Sequence, residues 1–208
     1  DKVVAVCEPL SDAAVSPLAD SAESDKTADR VLLSVDGPLA WRVARDVFGA
    51  DILDLSVLSV EKYDFDSADV FLMRNGRTGE FGYQFLAPAS VAESLCGKIS
   101  ESLESVGGTV CGFAAHAIAR LEGNFFNVYA EGAKIGCPLE LGLQWMVDFD
   151  KESFDGSEAV FAKRAAGVER ALVGLKTSGA LPAGTEIFDG SAVSYTHLRA
   201  HETSLHLV

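Results

Sequence analysis

Apolar residues along the chain follow two patterns, which predict strands and helices in turn. Short apolar, β-branched runs predict strands, and RVLLSVD at 30–36 is a clear example. Residues 37–50 predict a helix, because Leu39, Val43 and Val47 recur every four residues. The other predicted strands cover residues 2–7, 54–65, 68–74, 81–87, 139–147, 169–176 and 185–189.

A second helix is predicted to begin at Ser90, whose hydroxyl and the Glu93 carboxylate have capping-box spacing. Its inward face is marked by apolar residues at every fourth position, namely Val91, Leu95, Ile99 and Leu103. The glycine pair at 107–108 is expected to end it. Further helices are predicted over 111–122 and 156–167.

Interleaved helices and β-hairpins predict an α+β layered domain of the split β-α-β kind. We expect this domain to cover residues 30–167. A strand followed by an irregular segment rich in Ser, Asp and Pro precedes it over 1–29. Over 168–192 the pattern becomes all strand, which indicates the start of a β domain.

The last residues, 193–208, break the strand pattern and carry three of the four histidines, His197, His201 and His206. Spacing of i and i+4 on a helix is typical of metal ligands. However, this stretch resembles a translated sequencing-adapter tail, so we exclude it from function. The chain also begins at Asp1 without an initiator methionine, and we expect a fragment.

Composition narrows the class of partner. The chain of 208 residues is 48% hydrophobic and has a net charge of −14, with no stripe of Lys or Arg. This charge disfavours nucleic acids and anionic membranes as partners. No apolar run is long enough to span a bilayer, and the four cysteines are widely spaced. A cytoplasmic protein with reduced thiols and no metal site is the expectation.

The segment RNGRTGEFGYQF at 74–85 is the first candidate site. A phosphate cradle needs glycines that lead into a helix, whereas these glycines lead into a predicted strand. A tight hairpin and the wall of a ligand pocket both remain open. Arg77 is then either a ligand contact or a solvated turn residue. Glu80 and Glu122 are expected to be structural, bonding loop N–H groups or Arg120.

For three other side chains, a structural and a functional interpretation are both open. Gln84 alternates with Tyr83 and Phe85, so it faces the opposite side of its strand, toward either a cavity or solvent. His116 lies in an apolar helical stretch, where a hydrogen-bonded structural histidine is common. Phe125 is either a core aromatic or a residue near a ligand.

Four segments together resemble the glycine-cleavage T-protein (aminomethyltransferase) family. R-x-G-x-T-G-E-x-G-Y at 74–83 is similar to the family signature, and SVDGPLA at 34–40 resembles A-L-Q-G-P-x-A. RLEGNFFNVYAEGAKIGCPLELGLQW at 120–145 and FDGSEAVFAKRAAGVERALVGL at 154–175 are similar to two further blocks. The resemblance is colinear from about residue 30 to residue 190.

The resemblance implies ferredoxin-like α+β units around a central cavity, followed by a small β-barrel. It implies tetrahydrofolate as cofactor and a transferase that takes an aminomethyl or methyl group from a small-molecule donor, with a lipoyl-carrier protein as a further partner. Arg77, Gln84, His116 and Phe125 fall at positions that line the folate pocket. The family's catalytic Asp falls upstream of this chain, so the catalytic residue is unknown and this fragment alone is expected to be inactive.

Departures from the family pattern keep an alternative open. Arg77 replaces a Tyr, Gln84 replaces a Glu, and His116-Ala117 replaces Arg-Asp. These changes also suit a non-catalytic folate-binding or iron–sulfur assembly factor with the same fold. The K-G-C-Y motif of the iron–sulfur branch is absent from the sequence.

Overall fold

A computed structural model of the chain describes residues 27–127, 131–132, 134–175, 179, 181 and 185. The strands are β1 (Arg30–Asp36), β2 (Val60–Phe65), β3 (Ala68–Met73) and β4 (Gly82–Pro88). The α-helices are α1 (Ala40–Phe48), α2 (Ala89–Ser105), α3 (Phe113–Glu122) and α4 (Ser157–Ala166). Short 3-10 helices cover Thr27–Asp29, Ala50–Asp54 and Gln144–Met146.

The chain divides into two compact units. Described residues up to Phe125 belong to the first, and those from Phe126 onward belong to the second. All four strands and the first three α-helices therefore lie in the first unit, and α4 lies in the second. In the part of the chain that is described, no helix has the length and apolar character needed to cross a membrane.

The four strands form one sheet in the order β1-β4-β3-β2, with every neighbouring pair antiparallel. Strands β2 and β3 form a hairpin whose turn residues Asp66 and Ser67 have φ of 50° and 61°, as a tight hairpin turn requires. Strands β1 and β3 run in the same direction with β4 between them. The mixed helix-and-sheet architecture is confirmed, and its ferredoxin-like relation stays a prediction.

One face of the sheet carries the hydrophobic core of the first unit. Val35, Leu72, Tyr83 and Phe85 are buried there against α1 and α2. Phe48 of α1 stacks on Phe85 with ring centroids 5.5 Å apart. Fully burying an aliphatic or aromatic side chain of this size contributes about 1.5–3 kcal/mol, so this layer fixes the sheet on which the candidate site is built.

The core confirms the periodicity of the first two helices. In α1, Val43 is buried and Val47 packs on the core, and the helix ends before Gly49. In α2, Leu95 and Ile99 are buried, while Val91 and Leu103 pack against the cluster.

The predicted capping box of α2 is wrong. The helix begins at Ala89, with Pro88 as the N-cap residue and no side-chain cap. Pro88 is still held in the sheet by its pairing with Arg30. Strand β4 therefore runs directly into the helix, and Ser90 is already inside the first turn.

Three strand predictions also need correction. Residues 54–59 precede β2 as the end of a 3-10 helix and a turn, so that strand is shorter than predicted. Residues 139–147 form turns and a 3-10 helix, and 169–175 contain no strand. The start of a barrel is therefore not confirmed. The strand predicted over 2–7, nearly all of that over 185–189, and the 193–208 tail lie outside the described residues.

Candidate functional site

Residues 74–81 form the loop that joins β3 to β4, so the glycine-rich segment leads from strand to strand. The prediction that these glycines lead into a strand, rather than into the helix that a phosphate cradle requires, is confirmed. Two hydrogen bonds close the loop on the end of β1. Gly37 N–H donates to the Phe81 carbonyl at 2.8 Å, and Arg77 N–H donates to Asp36 Oδ1 at 2.9 Å.

Gly76 and Gly82 lie against each other beside the Asp36 carboxylate. A Cβ atom on Gly82 would be 2.1 Å from the Gly76 Cα and 2.8 Å from Asp36 Oδ1. Only glycine allows two backbone segments to approach this closely. The glycines therefore let the loop fold back onto the carboxylate.

The C-terminal end of α3 meets the same loop at Gly123. A Cβ atom there would be 2.0 Å from the carbonyl oxygen of Thr78. Thr78 itself is buried. The R-L-E segment that ends α3 and the glycine-rich loop, distant in sequence, are therefore neighbours in the fold.

Asp36 is the residue on which these elements converge, and sequence reasoning gave it no role. Its Oδ1 accepts from Arg77 N–H, and its Oδ2 accepts from the Ser34 hydroxyl at 2.8 Å. The His116 ring of α3 places Nε2 at 3.8 Å from Oδ2. The signal that could have found it is a carboxylate at 34–40 where the family motif has an amide.

Gln84 faces the side of the sheet opposite the core, as its alternation with Tyr83 and Phe85 predicts. It pairs in register with Ser34 on β1 and Met73 on β3. Although it lies on the face away from α1 and α2, only 3% of it is exposed. The solvent-facing alternative is therefore wrong.

The two arginines of the loop differ in their contacts. Arg74 donates from its guanidinium to the Leu55 carbonyl oxygen and lies over the Phe81 ring at 5.8 Å from the centroid. It is therefore part of the scaffold. Arg77 is partly buried and has its main chain fixed by Asp36, so it is not a fully solvated turn residue.

Phe125 follows α3 and is partly buried. Its main chain is fixed by Arg120, which donates from its guanidinium to the Phe125 carbonyl and accepts from the Phe125 N–H at its own carbonyl. Glu80 and Glu122 are exposed and make no hydrogen bond to any described residue. The expectation that they bond loop N–H groups or Arg120 is wrong.

Two buried polar atoms of the loop have no hydrogen-bond partner, Asn75 Oδ1 and Thr78 Oγ1. Leaving a buried donor or acceptor unpaired costs about 1–3 kcal/mol. Such groups are tolerated where a loop is shaped for another purpose than its own stability. Sequence reasoning missed both, because the burial of these two atoms depends on how the loop packs in the folded chain, which no local sequence pattern shows.

Among the described titratable groups near the loop, the one with a displaced pKa is Tyr83, and it does not act as a base at neutral pH. Burial raises the pKa of the Tyr83 phenol, and the nearby Arg74 charge only partly opposes this. Tyr83 is therefore a neutral phenol in the core. Within the described ranges, no cluster of three or more His, Cys, Asp or Glu side chains could hold a metal ion.

A small cleft of about 230 Å³ lies on the helix side of the first unit. It is lined mainly by apolar residues, including Pro38, Leu103 and Val106. Pockets for drug-sized ligands typically measure roughly 300–1,000 Å³. This cleft is therefore too small for a molecule of folate size, and it lies across the sheet from Gln84.

Comparison with known proteins places the chain in a family. The family model described as the GCVT N-terminal domain matches residues 10–151. The chain belongs to this family. The resemblance of the loop and the R-L-E block to the glycine-cleavage T-protein family is thereby confirmed.

Individual relatives are named aminomethyltransferases. An aminomethyltransferase of Francisella tularensis subsp. tularensis is 35% identical over 173 residues, which is 80% of this chain and 47% of the relative. An aminomethyltransferase of Thermosynechococcus vestitus is 29% identical over 155 residues, which is 74% of this chain and 41% of the relative. The chain thus spans less than half the length of these relatives.

A solved structure supports the fold. The glycine cleavage system aminomethyltransferase T from Bartonella henselae matches with a TM-score of 0.60 and 29% sequence identity. The match covers 77% of this chain and 44% of that protein. The architecture described above is therefore that of a glycine-cleavage T-protein.

Proposed function

We propose that the protein is a tetrahydrofolate-dependent one-carbon transferase that moves an aminomethyl or methyl group from a small-molecule donor. The single observation that carries the proposal is Gln84, an amide side chain that is only 3% exposed on the sheet face opposite the core. It stands beside the glycine-rich loop in a chain that belongs to the T-protein family.

The chemistry of Gln84 suits the pterin ring of folate. Polar groups that are buried in folded proteins are almost always hydrogen-bonded, and a ligand on this face of the sheet would supply hydrogen bonds to the Gln84 amide. The amide oxygen accepts hydrogen bonds, and the edge of a pterin offers N–H donors. Gln84 would therefore hold the pterin by its donor edge.

The other three residues are assigned to the same ligand. Arg77 carries the positive charge that the carboxylates of the glutamate tail require. Phe125 offers an aromatic face beside the p-aminobenzoyl ring. His116, which contacts Asp36 in the structure, is proposed to line the tail from α3.

When bound, tetrahydrofolate supplies the nitrogen atoms that accept the one-carbon unit. The chain's own residues bind and orient it, and positioning of this kind is itself a large part of catalysis. The proton-transferring residue remains unassigned. We further propose a cytoplasmic protein with ferredoxin-like units, a lipoyl-carrier protein as partner and no nucleic-acid or membrane partner. The non-catalytic alternative is not favoured, because the relatives compared are named aminomethyltransferases.

The test is calorimetric titration of the chain with tetrahydrofolate under anaerobic conditions. Gln84→Met keeps the length of the side chain but removes the amide. Leaving the ligand's N–H groups unpaired should weaken binding about tenfold to a hundredfold, since an unsatisfied buried group costs about 1–3 kcal/mol.

The matched control is Gln144→Met, which changes the chain's other glutamine at an exposed position. It should leave the affinity unchanged. Gln84→Glu adds charge assistance and should tighten binding. Absence of any binding by the wild-type chain at high micromolar tetrahydrofolate would refute the proposal.

A further inference from the structure

The Asp36 carboxylate lies where β1, the glycine-rich loop and α3 meet. Its side chain is 10% exposed. It accepts from the backbone N–H of Arg77 across 41 positions of sequence, and it lies next to the Gly76–Gly82 approach.

We infer that Asp36 is the positioning residue of the ligand-binding loop. By accepting the Arg77 N–H it fixes the backbone from which the Arg77 side chain extends, and it sets the start of β4, which carries Gln84. This inference rests on the proposed function, because it concerns how the same folate site is built.

The geometry around the carboxylate shows why its orientation is defined. The Ser34 hydroxyl donates to Oδ2 at 2.8 Å, which leaves Oδ1 directed at Arg77. A hydrogen bond to an ionised acceptor is roughly twice as strong as one between neutral groups. Ser34 thus holds the carboxylate, and the carboxylate holds the loop.

His116 adds a third element to the same group. Its Nε2 lies 3.8 Å from Asp36 Oδ2, which is too far for a good hydrogen bond but brings α3 next to the carboxylate. Gly123, at the end of the same helix, packs on Thr78. Asp36 therefore stands between the loop and α3 as well as between the loop and β1.

The experiment compares Asp36→Ala and Asp36→Asn in the full chain. The matched control is Asp69→Ala, which removes an exposed carboxylate of the same sheet that pairs with Lys62. Three quantities are measured: amide hydrogen exchange of Arg77 by NMR, tetrahydrofolate affinity by calorimetry, and urea unfolding. In the wild type, a scalar coupling is also sought between the Arg77 amide nitrogen and the Asp36 Cγ.

The wild type should show this coupling through the hydrogen bond. Asp36→Ala should speed Arg77 exchange about tenfold or more, because a hydrogen bond to a charged acceptor is lost. It should weaken tetrahydrofolate binding by a similar factor. Asp36→Asn retains an acceptor oxygen but not the charge, so it should restore part of both properties. Asp69→Ala should change neither.

The inference is overturned if the wild type shows no coupling and Arg77 exchanges freely, a result that holds even if Asp36→Ala does not fold. Equal losses of affinity in Asp36→Ala and Asp36→Asn also overturn it, since rescue by the acceptor would then be absent. If the wild type binds no tetrahydrofolate, the proposed function fails, while Arg77 exchange still decides whether Asp36 positions the loop.

Discussion

Glu140 shows how a single carboxylate organises the second unit. It is 4% exposed and receives Lys163 Nζ of α4 at 2.9 Å and Arg170 at 3.1 Å. Its carbonyl accepts from Leu172 N–H at 2.8 Å. The Lys163 hydrogen bond holds the pKa of the Glu140 carboxyl below its usual range, with burial opposing and Arg170 assisting. One residue thus ties α4 to the 170–172 segment.

Replacing this carboxylate should make stability less dependent on pH. Because the pKa is lowered on folding, the stabilisation is fully present above the ordinary glutamate value of about 4.3 and is lost as pH falls through the folded value. Glu140→Gln should therefore lower the urea midpoint at pH 7 but approach the wild type near pH 3. Circular dichroism at both pH values measures the difference.

The control for this prediction is Glu101→Gln, which breaks an exposed ion pair with Lys98. Exposed pairs contribute little to stability, so its midpoint should remain near that of the wild type at both pH values. A Glu140→Gln variant that is equally destabilised at pH 3 and pH 7 would contradict the prediction.

At the scale of elements, the helices were predictable because their signal is local. Four apolar residues at every fourth position identify α2, and the face that they were predicted to bury is the face that packs on the core. Strand β4 was predictable for the same reason, since alternation alone sets Gln84 opposite Tyr83 and Phe85.

Residues 139–147 were mispredicted because an apolar run that resembles a strand folds into consecutive turns and a 3-10 helix. The N–H groups of Leu141 and Leu143 both donate to the Pro138 carbonyl. Gly142 has φ of 73°, which no regular strand residue adopts. Apolar composition over nine residues does not separate a strand from consecutive turns, so the local pattern could not settle this segment.

The candidate site was only half predictable. The glycine-rich composition of residues 74–85 identifies the loop in the sequence, and alternation with Tyr83 and Phe85 predicts the face of the strand on which Gln84 lies. The anchoring of Arg77 by Asp36 spans 41 positions and exists only once β1 and the loop are side by side. No local pattern contains that information.

The close approach of Gly76 and Gly82 can be tested by substituting one of these glycines. Gly82→Ala would place a Cβ 2.1 Å from the Gly76 Cα, so the two segments must separate. Overpacking of a closely packed site costs about 1–3 kcal/mol, and the free energy of unfolding should fall by at least this amount. Urea denaturation measures it.

Gly97→Ala is the matched control, because Gly97 lies inside α2 with open space around its Cα. Replacing a mid-helix glycine by alanine should stabilise the chain by about 0.5–1 kcal/mol. The two glycine-to-alanine changes therefore have opposite expected signs. A Gly82→Ala variant as stable as the wild type would show that the backbone at Gly82 does not lie in close contact with Gly76.

At the scale of the whole molecule, the negative net charge of the chain repels the proposed ligand, which is also negatively charged. The chain carries −14 at pH 7, and the glutamate tail of tetrahydrofolate is anionic. Long-range repulsion acts on the approach of the ligand, whereas Arg77 acts only at contact. Ligand association and dissociation should therefore depend on different parts of the protein.

Salt separates the two effects. Added salt screens charges farther apart than the Debye length, about 30 Å at 0.01 M and about 8 Å at 0.15 M. The association rate of tetrahydrofolate should therefore rise about two- to tenfold between these ionic strengths, as measured by stopped-flow fluorescence. Tetrahydropterin, which lacks the tail, should show no such rise. Arg77→Gln should speed dissociation of tetrahydrofolate but not of tetrahydropterin. An association rate that falls with salt would mean that local positive charge, rather than the −14 of the whole chain, governs the approach of the ligand.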